Sequence, residues 1–184
     1  MAELLTKKEQ RDLLKIARDT IVSYVSSGVV PAVETTSNGL NLESGCFVTI
    51  KQHEQLRGCI GNFVSDKPLY RLVQEMAISA ATQDPRFYPM KTGDLEAFDL
   101  EISVLSPLQL ISSVDEIKVG MHGLYLVKNS YRGVLLPQVA TEYGWDRETF
   151  LKHTCLKAGL PENAWSKDCD IYIFSALVFG EKSV

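Results

Sequence analysis

Arg57-Gly58-Cys59-Ile60-Gly61 is the stretch whose residue types bear most directly on chemistry. Two glycines flank a cysteine, and an arginine precedes it by two positions. In an extended segment, residues two apart face the same way, so the spacing puts the Arg57 guanidinium beside the Cys59 thiol. A cation there favours the thiolate, the reactive form. Cys59 is thus a candidate nucleophile or carrier, with Arg57 as its activator or as an anion anchor. Glycine inside a strand marks a bulge or a close approach of a ligand or another backbone, which makes Gly58 and Gly61 candidate binding positions. The competing reading is packing: a small buried thiol between glycines that admit a neighbour.

Asp84-Pro85-Arg86-Phe87 is a second polar cluster, in a loop after a helix. The planar fork of Arg86 suits a carboxylate or phosphate, while Asp84 can accept from a loop amide or pair with an arginine. A rigid, proline-fixed turn with an exposed ion pair is the alternative. Glu101 sits on the polar face of an alternating strand with Asp99 and Ser103. It is a candidate general base or a partner for Arg57, against a merely solvated face. His122 is a further candidate proton handler or binding residue.

The three histidines, His53, His122 and His153, and the four cysteines form no spacing that binds a metal. The serine elbow, the phosphate loop and the dinucleotide glycine fingerprint do not occur, which argues against the common hydrolases, nucleotide-triphosphate enzymes and Rossmann dehydrogenases. The residues specify no cofactor.

These side chains must be positioned by elements that the sequence also marks. Thr6-Lys7-Lys8-Glu9 is a capping box opening a helix over about residues 6–27, with Gly28 as its stop. Cys46–Lys51 and Leu56–Phe63 read as strands that can pair as a hairpin. Ser65 or Asp66 can cap the next helix, whose stripe is Leu69, Leu72, Val73, Met76 and Ala80. Phe98–Val104 alternates as a half-buried strand, and Gly123–Val127 with Tyr131–Leu136 forms a hairpin around Asn129-Ser130. A short helix starts at Pro137, and Asp146 caps another running to about Ala158. Trp145 and Phe150 read as core aromatics, and Asp170–Phe179 reads as one closing strand. The order is that of an α+β fold, a mainly antiparallel sheet flanked by helices, rather than a regular βαβ alternation.

At 184 residues the chain suits a single domain, and 45% hydrophobic with 23% charged residues is ordinary for a folded protein. A net charge of −4 with no basic stretch weighs against nucleic acid as a partner. No apolar run approaches the ~20 residues of a membrane helix. The start lacks the apolar stretch of a secretory signal, so the expectation is a cytoplasmic protein with free thiols.

Leu56-Arg57-Gly58-Cys59-Ile60-Gly61 resembles the signature of the AMMECR domain family, also called AmmeMemoRadiSam system protein A. Further segments match it in the same order: Asp84–Phe87, Leu100–Ser106, Gly120–Leu124, Gly133–Ala140, Trp145 and Lys157–Leu160. The resemblance covers about residues 8–180. It implies a larger and a smaller subdomain, interleaved and sharing one core, with the 56–63 strand near their junction. It also implies a cytosolic protein whose partners are a Memo-type protein and a radical SAM enzyme of a shared modification pathway. The family has no established biochemical activity.

Two functions follow. In the first, favoured here, Arg57 and Arg86 hold a small anionic ligand or a partner's carboxylate and Cys59 packs. In the second, Cys59 is a nucleophile or carrier, Arg57 its activator, and Glu101 or His122 the proton handler.

Overall fold

The computed structural model describes residues 4–184 and divides into two compact units, one running up to Leu105 and resuming at Leu177–Val184, the other Ser106–Ala176. In chain order the elements are α1 (Lys7–Ser27), β1 (Cys46–Gln52), β2 (Gln55–Asn62), α2 (Leu69–Thr82), β3 (Asp99–Leu105) and β4 (Gln109–Leu110). They continue with β5 (Gly123–Lys128), β6 (Tyr131–Leu135), α3 (Pro137–Glu142), α4 (Arg147–Lys157), β7 (Asp170–Phe174) and β8 (Ala176–Gly180). The fold is α+β, with one sheet ordered β2-β1-β3-β8 and another ordered β4-β7-β5-β6.

In the first unit the expected capping box opens α1. The Glu9 amide donates to Thr6 Oγ1 at 3.3 Å, and the Glu9 carboxylate accepts the Thr6 amide at 2.8 Å. Gly28 closes the helix at φ +72°, a left-handed conformation that lets its amide reach the Tyr24 carbonyl. Glu9 also accepts from the Ser37 hydroxyl at 2.5 Å and the Gly39 amide at 3.0 Å, so the loop after α1 folds back onto the helix start. These bonds, that of Ser37 foremost, pull the Glu9 carboxyl down to about 2.

β1 and β2 form the expected hairpin. Its tight turn places His53 and Glu54 at φ +51° and +63°, the hand that matches strand twist. Cys46, Val48 and Ile50 of β1 and Leu100, Ile102 and Val104 of β3 turn inward and pack with the apolar stripes of α1 and α2. Each such aliphatic side chain contributes about 1.5–3 kcal/mol by leaving water. Burial pushes the Cys46 thiol up to about 12, which makes it inert. The alternate residues Thr49, Lys51, Glu101 and Ser103 lie half-buried on the opposite face.

In the second unit, α4 packs on β5 and β6, and Phe150 and Leu151 meet Leu124, Ile171 and Ile173. Trp145 packs against this cluster, as expected of a core aromatic. Asp146 caps α4 by accepting the Thr149 amide at 2.8 Å.

Two expectations change. The closing strand breaks at Ser175, whose carbonyl and amide bond the Ser106 amide at 2.8 Å and the Ser106 hydroxyl at 2.9 Å, so β7 and β8 join different sheets. Pro68, not Ser65 or Asp66, precedes α2; the Ser65 hydroxyl accepts the Lys67 amide instead. Among the described residues no helix is long and apolar enough to cross a membrane.

The C-terminal residues are latched by Glu181. Its carboxylate accepts from Arg18 at 2.5 and 2.6 Å and from the Leu100 amide at 2.9 Å, while Arg18 lies 4.1 Å over the Phe98 ring. The pair is partly exposed, so solvent screening limits its worth. Glu181→Ala is expected to cost about 1–3 kcal/mol in urea unfolding, chiefly through the amide and guanidinium left unpaired. Glu9 gives a pH signature. Its folded pKa lies below its ordinary 4.5, so its contribution is present above that value and is lost as pH falls toward about 2. Denaturant unfolding across that window should show a fall in stability that Glu9→Gln flattens.

Candidate functional site

β2 is the edge strand of the first sheet, and it carries Arg57, Gly58, Cys59 and Gly61. Gly58 faces α2 so closely that a Cβ there would lie 2.1 Å from the Ala80 carbonyl oxygen. Only glycine lets the strand press on the last turns of the helix. Gly61 likewise lies under the Phe47 ring. Both glycines therefore serve close packing. The contact at Gly58 brings the loop that follows α2 alongside Cys59.

That loop supplies a clamp. The Asp84 carboxylate accepts the Cys59 amide at 2.9 Å, and Arg86 Nη2 donates to the Cys59 carbonyl at 3.3 Å. Arg86 also grips Asp84 through Nε at 2.9 Å and Nη2 at 2.7 Å, and the Arg86 amide adds a bond at 3.1 Å. Side chains thus take the place of a neighbouring strand at an edge that would otherwise present open backbone groups. Asp84 is 2% exposed and Arg86 55%, so the carboxylate is the inner half of the pair. Its hydrogen bonds from Arg86, reinforced by the Cys59 and Arg86 amides, hold Asp84 well below the usual carboxylate range against the opposing effect of burial.

The pairing of β1 with β2 slips between Ile50 and Lys51: Ile50 faces Gly58 and Lys51 faces Leu56. Arg57 is the extra residue of a bulge, a device that re-aims a side chain. Simple alternation therefore no longer relates Arg57 to Cys59. The arginine that bonds the Cys59 residue is Arg86. Arg57 lines a cleft of about 460 Å³ whose other cations are Arg86 and Lys91, with Phe87, Tyr88 and Pro89 as its apolar wall. Tyr88 is 88% exposed. Arg57 Nη1 is buried with no hydrogen-bond partner, and Nη2 lies 3.6 Å from Asp94, beyond hydrogen-bond length. Asp94 had no sequence signal. It stands in a short 3₁₀ turn (Thr92–Glu96), where it accepts the Lys91 amide at 2.8 Å, and Gln52 holds its carbonyl at 3.1 Å.

Cys59 lies opposite Thr49, which lies opposite Glu101 on β3. The Thr49 hydroxyl donates to the half-buried Cys59 sulfur at 3.2 Å. Glu101 is two strand spacings from Cys59, roughly 10 Å, outside direct proton-transfer reach. It pairs with Lys51 at 3.0 Å, not with Arg57. His122 belongs to the second unit, where its Nδ1 accepts the Lys118 amide at 3.2 Å; burial and Lys118 lower its pKa. Among the described residues no cluster of three or more metal-ligating side chains occurs.

The sequence pattern that defines the AMMECR1 family matches residues 14–179. Protein MK0488 of Methanopyrus kandleri is 43% identical, over 99% of this chain and 93% of its own length. Protein MJ0810 of Methanocaldococcus jannaschii is 40% identical, over 97% of this chain and 92% of its own. The crystal structure of uncharacterized protein PH0010 from Pyrococcus horikoshii superposes with a TM-score of 0.85 at 37% identity, covering 98% of this chain and 95% of that one.

The clamp makes a measurable claim. Asp84→Ala should destabilise the protein by about 2–4 kcal/mol, because it strands the Cys59 amide and the inner face of Arg86. Hydrogen exchange at the Cys59 amide should accelerate more than at Val48 in the sheet interior. Asp84→Asn, which can still accept from that amide, should lose less.

Proposed function

Since the chain belongs to the AMMECR1 family, we propose that it is a cytoplasmic accessory component that holds a small anionic ligand in the cleft beside Arg57 and Arg86. The observation that carries this reading is the Arg57 guanidinium, aimed by a bulge into the cleft wall with Nη1 buried and unpartnered. A largely buried cation that no carboxylate hydrogen-bonds is costly. An oxyanion in the cleft meets the part of the guanidinium that lines it, and a guanidinium fork matches that geometry. Arg86 and Lys91 add charge at the mouth. In this reading the partners are the Memo-type protein and the radical SAM enzyme that the family resemblance implies, and the chain serves their pathway by delivering or sensing the anion.

Isothermal titration with acetate and with inorganic phosphate tests the binding directly. Saturable binding of at least one is expected, weakened about tenfold or more by Arg57→Ala, the loss of roughly one charge-assisted pair. Unchanged binding in that variant would remove the proposal.

The second reading keeps Cys59 as a nucleophile or carrier. What favours it is the Thr49 hydroxyl aimed at a half-buried sulfur, a donor placed to support a thiolate. Alkylation of each cysteine against pH, read on folded protein by mass spectrometry, separates the two. Under the first reading Cys59 reacts no faster than an ordinary, partly shielded thiol. Fast reaction with a midpoint well below the ~8.5 of a free thiol would put the second ahead.

A further inference from the structure

The cleft beside Arg57 does not hold cations alone. Asp94 lines it too, and its carboxylate sits 3.6 Å from Arg57 Nη2. The distance has a cause. Asp94 is committed to capping its own 3₁₀ turn through the Lys91 amide, and Gln52 anchors its backbone. It is held near Arg57 without being free to close on it. Its charge is therefore a fixed part of the cleft, while Arg57 keeps hydrogen-bonding capacity for something else.

Charge in the cleft then decides what fits. Arg57, Arg86 and Lys91 bring three positive charges, and Asp94 with the Asp84 held by Arg86 brings two negative ones. The balance of one positive charge matches one negative charge on a ligand. The remaining wall, Phe87, Tyr88 and Pro89, is apolar and partly aromatic. The volume of about 460 Å³ is of small-molecule size.

Resting on the anion-binding reading above, we propose that Asp94 is the specificity-determining residue of this cleft, and that the cleft takes a small aromatic monocarboxylic acid rather than a phosphate. The carboxylate meets Arg57 and Arg86, and the ring lies against Phe87, Tyr88 and Pro89. A second negative charge on the ligand faces Asp94 at close range and is disfavoured.

The test is isothermal titration of benzoate and of inorganic phosphate at about pH 8 against wild type, Asp94→Asn and Arg57→Ala. Asparagine keeps an acceptor for the Lys91 amide. Asp94→Ser, which also keeps a capping oxygen, is the second variant should the first lose its fold. Removing Asp94 should tighten phosphate more than benzoate. Even at the dielectric of water, one extra charge about 5 Å away moves the phosphate-to-benzoate ratio by at least about fourfold, and by more in a less watery cleft. An unchanged ratio, with Arg57→Ala still abolishing binding, would overturn the role of Asp94 and leave the anion site standing. Binding of neither probe to wild type or to either Asp94 variant would overturn both.

Discussion

The first unit is organised around the bond between the buried Asp84 carboxylate and the amide of Cys59. An edge strand has a row of backbone groups with no neighbour, and this protein meets that cost at Cys59 with a carboxylate and a guanidinium. The arrangement works only because other constraints agree. Gly58 has no side chain, so α2 can end against β2. The Met90 amide bonds the Ala81 carbonyl at 2.8 Å, so the loop carrying Asp84 and Arg86 returns to the helix end instead of drifting into solvent. The ion pair is inside-out: the carboxylate is enclosed and the arginine faces the cleft. Asp84 therefore fixes Arg86 in place, and the cleft receives a cation that needs no reorganisation to meet an anion.

The bulge in β2 is the second half of the design. Without it, alternation would put Arg57 on the same face as Cys59. With it, Arg57 points to the 3₁₀ turn of Asp94. Neighbouring residues of one strand thus take different tasks. Gly58 packs on the helix, Cys59 is clamped through its backbone and touched by Thr49 through its sulfur, and Arg57 lines the cleft beside Asp94. Glu101, paired with Lys51, stands apart from both.

Much of this was legible in the sequence, and the reasons for what was not are physical. The α1 capping box, the Gly28 stop, the stripe of α2 and the Asp146 cap of α4 all obey local rules and appear where the residues place them. The motifs Arg57–Gly61 and Asp84–Phe87 mark the right stretches. What they do there depends on partners distant in sequence: Asp84 meets an amide 25 residues away, and no spacing rule encodes that. The bulge is a register event set by pairing, so alternation alone does not place Arg57. Asp94 looked like one acidic residue among many, since its meaning comes from the turn that tethers it. The apolar run from Asp170 to Phe179 reads as one strand because composition does not show a strand changing sheets; the break coincides with the bonds of the Ser175 backbone to the Ser106 amide and hydroxyl.

Arg57 and Arg86 are proposed to form an anion site whose geometry exists before the ligand arrives. The nitrogen resonances of the arginine guanidinium groups, followed by NMR as benzoate is added to the intact protein, address it directly. Saturable shifts are expected at Arg57 and Arg86 with one shared midpoint, while Arg18, already held by Glu181, stays still. Shifts that are equal and unsaturating at every arginine, or a silent Arg57, would contradict it.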